Sequence, residues 1–217
     1  MFEKFAEFPL WGWILVALLL VAGVLLMAKM KDKSGKKKLW TTKMLSMGAI
    51  CMALSSVLSM IRLWSMPMGG SITPASMLPT MLFAYVYGVG PGCTLGVLYG
   101  VMQFMLDGGN AAAYGFVPML LDYPIAFGLM GLAGLFRRLK DVRTGLTLGM
   151  IAGCIGRFAA SFTSGVVFYG AYAPEGWNPV WYSIAYNGAY MGVECIICAV
   201  LTVLVGERLV REVRKGL

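Results

Sequence analysis

A carboxylate, a carboxamide and a hydroxyl sit inside long apolar runs of this chain. Asp122 lies in LLDYPIAF (120–127), Asn187 in YSIAYNG (182–188 with its leading tyrosine) and Ser161 in RFAASFTSG (157–165). Tyr182, Tyr169 and Tyr114 sit higher, toward the outer ends of the same spans. A charged side chain inside a span is rare, expensive and usually functional. The carboxylate can supply charge or accept hydrogen bonds, the carboxamide can do both, and the phenols can stack. Together they suit a small ligand with a cationic or amine-bearing ring. The competing role for Asp122 is to hold helices together.

What is absent narrows the chemistry further. The chain has no histidine, which removes imidazole acid–base catalysis and most metal sites. It carries no G-x-x-x-x-G-K-[ST], so it cannot bind ATP in the P-loop manner. No serine–base pair, H-E-x-x-H or paired catalytic carboxylates appear. Cys195 and Cys198 form a C-x-x-C within a span, without a second pair, and read as packing residues. The expectation is a binding or transport protein, not an enzyme, with no cofactor or metal.

Composition sets the solvent. Of 217 residues 59% are hydrophobic and 13% charged, and the mean hydropathy is +0.76. Soluble domains are about 25% charged, so this is an integral membrane protein. The net charge of +8 gathers in KMKDKSGKKK (29–38), RRLKDVR (137–143) and ERLVREVRK (207–215). Basic runs beside apolar spans mark cytoplasmic loops, and no aromatic–basic stripe suggests nucleic acid.

Spans of about 20 apolar residues fall near 9–29, 43–63, 75–88, 92–107, 116–136, 145–170 and 180–206. With the basic segments inside, the N-terminus is outside and the C-terminus inside. The first span follows MFEKFAEF, which is no basic signal-peptide n-region, and reads as an uncleaved anchor. The predicted organisation is an extra N-terminal helix and basic linker (1–42), a six-helix membrane domain (43–206) and a basic cytoplasmic tail (207–217).

The outer loops are LWSMPMGGSIT, DGGNAAAYG and AYAPEGWNP. Trp64, Trp177 and Trp181 there serve an interfacial belt, a site, or both. At the helical rise, Asp122, Asn187 and Ser161 lie about 9, 10 and 13 Å below the outer surface. Arg157 and Glu194 both fall about 20 Å deep and match each other, which leaves Asp122 for a ligand. Gly92, Gly96 and Gly100, like Gly149 and Gly153, repeat at four and allow helices to approach closely. Ala49 and Ala53 form another small pair, suited to internal packing or to a partner's helix.

Four segments together resemble one family. MPMGGSITPASMLPTML (66–82), GCTLGVLYGVMQF (92–104), LLDYPIAFGLMGLAGLF (120–136) and YAPEGWNPVWYSIAYNG (172–188) are similar to the thiamine-specific S component of energy-coupling factor (ECF) transporters, over about residues 43–205. The resemblance implies a six-helix bacterial plasma-membrane protein that captures thiamine from outside. Its implied partners are a transmembrane T component and two ATPase subunits, which alone bind ATP. Asp122 and Tyr123 stand where the family has an acidic residue and a tyrosine, with the carboxylate binding thiamine. Tyr182 and Asn187 match its Y-S-x-x-x-N ligand contacts, and Tyr99 falls where a pocket aromatic is common. Ala49 and Ala53 match the A-x-x-x-A face that docks on the T component.

The chain departs from the family at Ser161, where histidine is common, at Tyr169, where tryptophan is frequent, and in its extra N-terminal span. The first two departures keep a related ligand open, such as a thiamine precursor or another vitamin. The candidate site is therefore Asp122, Tyr123, Asn187, Tyr182, Tyr99, Tyr169, Ser161, Tyr114 and Trp64, with loop 64–74 as a lid whose Gly69–Gly70 pair permits rearrangement. An autonomous secondary transporter is the alternative from another class.

Overall fold

The computed structural model describes residues 40–67, 69–107 and 115–215. The expected first span and Tyr114 lie outside the described residues. Six helical elements follow in order: α1 (Thr42–Met60), α2 (Leu78–Tyr87), α3 (Val89–Leu106), α4 (Phe116–Phe136), α5 (Val142–Phe168) and α6 (Pro179–Lys215). All but α2 are long and apolar enough to cross a membrane. The one small sheet among the described residues pairs β1 (Trp64–Ser65) with β2 (Ser71–Ile72), antiparallel, Trp64 opposite Ile72. The described chain is thus an all-helical membrane bundle, as its composition requires.

Helix α1 starts at Thr41, whose hydroxyl accepts from the amide of Met44 at 3.2 Å, which satisfies an otherwise orphaned donor. It buries Met44, Gly48, Cys51, Ser55 and Ser59, a stripe at three- and four-residue spacing. The opposite face leaves Leu45, Ala49, Ile50, Ala53, Leu54 and Val57 exposed. Apolar exposure of this extent is what lipid or a partner helix covers.

The second core span is shorter as a helix than expected. α2 has 10 residues, about 15 Å of rise. The rest of the depth is crossed by irregular chain at 73–77, where Thr73, Ala75, Ser76 and Met77 are buried. Non-helical backbone at membrane depth is tolerated where protein surrounds it. The descent turns sharply at Ala75, whose φ is +66°.

Two expected boundaries move for identifiable reasons. α3 begins at Val89, not 92, because Gly88 alone makes the turn, with φ 103°, and Pro91 falls in the first helical turn, where its missing N–H is harmless. α6 does not stop at 206 but runs through the basic segment to Lys215. Val210 and Val213 are buried in the main core beside Tyr85 and Leu146. The change from apolar to basic composition marks the membrane surface there, not the helix end.

The glycine repeat sets the helix separations. A Cβ at Gly96 would strike the backbone carbonyl of Phe127, one at Gly100 the carbonyl of Tyr123, and one at Gly92 the side chain of Ala84. Helix α3 therefore lies directly on the backbone of α4. From the other side, Gly149 and Gly153 of α5 face the carbonyls of Ala133 and Met130. These contacts seat α4 between α3 and α5 and decide where its polar residues point.

Candidate functional site

Helix α4 is not regular. An α-turn (Phe116–Leu120) opens into a π-turn (Leu121–Ile125), returns to α (Ala126–Leu129) and ends as a 3₁₀ stretch (Met130–Phe136). Pro124 explains the π-turn, since it has no N–H and its ring displaces the carbonyl four residues before it. Widened turns of this kind recur at functional sites. Here the widening carries Asp122 toward α5, where Ser164 donates its hydroxyl to Asp122 Oδ2 at 2.7 Å.

Helix α6 presents a ladder of phenols. Tyr182, Tyr186 and Tyr190 follow at four-residue spacing, with ring centroids 5.8 and 6.2 Å apart. Only Tyr182 stood out in the sequence. Tyr186 and Tyr190 were legible in the same i, i+4 pattern but carried no separate signal. Tyr190 donates to Asn187 Oδ1 at 3.1 Å.

Asn187 is committed to protein partners rather than held out toward open space. Its Nδ2 donates to the carbonyls of Ser161 (3.3 Å) and Ser183 (3.1 Å) and to Ser183 Oγ (3.2 Å). Ser183 in turn donates to the carbonyl of Phe162. The close approach of α5 and α6 here depends on Gly165, where a Cβ would collide with Ser183 Oγ. Ser161 is buried at this crossing. Tyr169 ends α5 with its ring 6.3 Å from Tyr172.

The other expected contacts fall elsewhere. Tyr99 is fully buried, donates to the carbonyl of Ser55 at 3.0 Å and meets Phe127 edge-on at 5.1 Å, so it forms the packed floor below the site. Tyr123 turns toward α3, against Phe104, and donates to Asp107 Oδ2 at 3.0 Å. Asp107 is also bridged by Arg62 at 2.8 Å. This trio ties the outer ends of α1, α3 and α4. Trp64 is on β1 and 65% exposed.

Arg157 and Glu194 do face each other, at 4.0 Å between Nη1 and Oε2. The pair is loose. Glu194 is 1% exposed, and its Oε1 accepts from Thr73 Oγ1 (2.5 Å) and Ser76 Oγ (2.7 Å). Arg157 lies over the Phe127 ring, 4.4 Å from its centroid, and its buried Nε has no acceptor among the described residues. A guanidinium with unfilled donors is suited to a ligand's acceptors, a role the sequence reading gave only to ion pairing.

A carboxylate, a serine hydroxyl and a tyrosine ladder thus lie in the half of a membrane bundle away from the basic segments, with the Arg157 guanidinium deeper. The arrangement defines a membrane protein built to hold a solute. The chain belongs to the thiamine transporter protein family (Thia_YuaJ), which it matches over residues 45–212. It is 38% identical over 151 residues to the thiamine transporter ThiT of Bacillus subtilis (strain 168), which covers 64% of this chain and 77% of that protein. The thiamine transporter ThiT of Lacticaseibacillus paracasei is 33% identical over 140 residues, 59% of this chain and 68% of the relative. The fold is similar to the solved structure of ThiT from Listeria monocytogenes, with a TM-score of 0.63, 26% identity, and coverage of 80% of this chain and 96% of that one. The relatives are transporters rather than enzymes, and the chain is a multi-pass protein of the bacterial plasma membrane.

Proposed function

We propose that this protein captures thiamine at its outer face, as the substrate-binding S component of an ECF-type importer. The observation that carries the reading is Asp122, a carboxylate placed by a proline-containing π-turn against the Ser164 hydroxyl, in a bundle whose α6 carries a tyrosine ladder. Thiamine joins a permanently cationic thiazolium to an aminopyrimidine. The carboxylate answers the charge or the amine, the phenols of α6 offer flat faces, and Arg157 offers donors to ring-nitrogen acceptors. The relatives named for thiamine transport support the same ligand.

The segment from Trp64 to Thr73 serves as the lid. Tyr186 donates to the carbonyl of Gly69 at 2.7 Å, and Gly70 packs against the Tyr190 ring. The lid thus rests on the ladder it would cover. Gly69 and Gly70 have φ of 94° and 79°, which only glycine adopts without strain.

The chain has no nucleotide-binding motif, so ATP-driven uptake needs partner subunits. Ala49 and Ala53, on the exposed face of α1, supply a close-approach surface for a T component. The test is reconstitution in vesicles. Thiamine uptake that requires the T component and ATPases supports the proposal; uptake by this chain alone, driven by an ion gradient, overturns it in favour of a secondary transporter. Ser161 and Tyr169, smaller than a histidine and a tryptophan, favour one second reading, a thiamine precursor. Binding of an aminopyrimidine fragment more tightly than thiamine would establish it.

A further inference from the structure

We infer that Glu194 is a positioning residue that latches the lid from below, and so sets how fast ligand exchanges rather than how tightly it binds. The inference rests on the lid reading above, while its test separates the two.

Glu194 lies two turns below Asn187 on α6, sealed from solvent. Its carboxylate is divided between two tasks. Oε2 faces Arg157 across 4.0 Å. Oε1 accepts both hydroxyls of the segment that joins β2 to α2, Thr73 and Ser76. That segment is the root of the lid, and it is organised for this contact: Thr73 Oγ1 also accepts the amide of Ser76 at 3.2 Å. The intervening Ala75 takes the positive φ that brings the two hydroxyls to one side. A left-handed alanine is strained by its Cβ, so the turn is held by what it binds.

Elsewhere the described lid residues meet α6 through the Tyr186 hydroxyl at Gly69 and the Tyr190 ring at Gly70. The bonds at Glu194 are charge-assisted, which makes them roughly twice as strong as neutral ones. They join protein groups only. Their loss therefore weakens the closed lid whether or not ligand lies beneath it. A residue that contacts ligand shifts affinity. A latch on the closed form instead speeds entry and exit together and leaves their ratio nearly unchanged.

The experiment compares wild type, Glu194→Gln and the lid-side double variant Thr73→Val with Ser76→Ala, in detergent or nanodiscs. Hydrogen exchange of the amides at 70–76 is followed without ligand, and stopped-flow fluorescence measures thiamine association and dissociation. Both variants are expected to exchange these amides at least about tenfold faster, since the loss of even one of the two charge-assisted bonds implies that much. Association and dissociation should each accelerate about tenfold, with Kd within about threefold. Combining all three substitutions should add little to either, because they break one contact. Unchanged lid exchange in the double variant overturns the latch, even if Glu194→Gln proves unstable. So does a rise in dissociation alone with a matching loss of affinity, which would make Glu194 a ligand contact. If wild type binds no thiamine but the variants still loosen the lid, the latch stands and the thiamine reading fails.

Discussion

Asp122→Asn separates the ligand role of the carboxylate from the structural one. The substitution keeps the size and planar shape of the side chain and leaves an oxygen for the Ser164 hydroxyl, which donates at 2.7 Å in the native protein. What it removes is the charge. At an effective dielectric of about 20, a unit charge pair at 4 Å is worth about 4 kcal/mol before desolvation. A charge-assisted hydrogen bond retains about 1.5–3 kcal/mol of net value. Thiamine affinity should therefore fall about 10- to 100-fold, with the melting temperature within about 3 °C of wild type. Tryptophan fluorescence titration reads the affinity, and a thermal ramp in the same detergent reads the fold. Ser164→Ala completes the comparison, because it cuts the tie to α5 but keeps the charge, and should weaken thiamine less than Asp122→Asn does. The reasoning is refuted if Asp122→Asn binds within threefold of wild type. It is equally refuted if both variants lose stability in parallel and affinity follows stability, which would make Asp122 a strut between α4 and α5.

Packing and capping give further expectations. Gly96→Ala places a Cβ against the Phe127 carbonyl and should destabilise the bundle by about 1–3 kcal/mol; Gly90→Ala meets nothing within 4 Å and should stay within about 0.5 kcal/mol of wild type, both measured by thermal unfolding. Asp141 caps α5 by accepting the amide of Thr144 at 3.0 Å and its hydroxyl. These bonds, the hydroxyl's first, hold its carboxyl below the usual carboxylate range. A depressed folded-state pKa contributes stability that is present above the unfolded value near 3.8 and is lost as pH falls through the lower folded value. Asp141→Ala should thus lower the melting temperature at pH 7, and the difference should close as the medium is acidified below about pH 4; a gap that persists at pH 2 would contradict the charge-based cap.

Much of this protein was legible in its sequence because the bilayer leaves few options. Apolar length gave the helices, since backbone groups in lipid can be satisfied only within helices, and glycine spacing marked faces open to close approach. The residue types LDYP and YSxxxN located Asp122, Tyr182 and Asn187, because a polar group in an apolar run has few roles.

Tertiary structure decided which of these polar groups still has bonding capacity. Asn187 spends its carboxamide on Ser161, Ser183 and Tyr190, Tyr123 turns to Asp107, and Tyr99 meets Phe127 edge-on. Arg157 keeps an Nε that has no acceptor among the described residues, and Glu194 reaches 118 residues back along the chain to Ser76. Periodicity reports which face of a helix a residue occupies. It cannot report what another helix, at its own depth and rotation, brings to meet it. That depends on close-packed contacts such as Gly165 against Ser183, where the width of one methyl group sets the partner of every polar atom nearby.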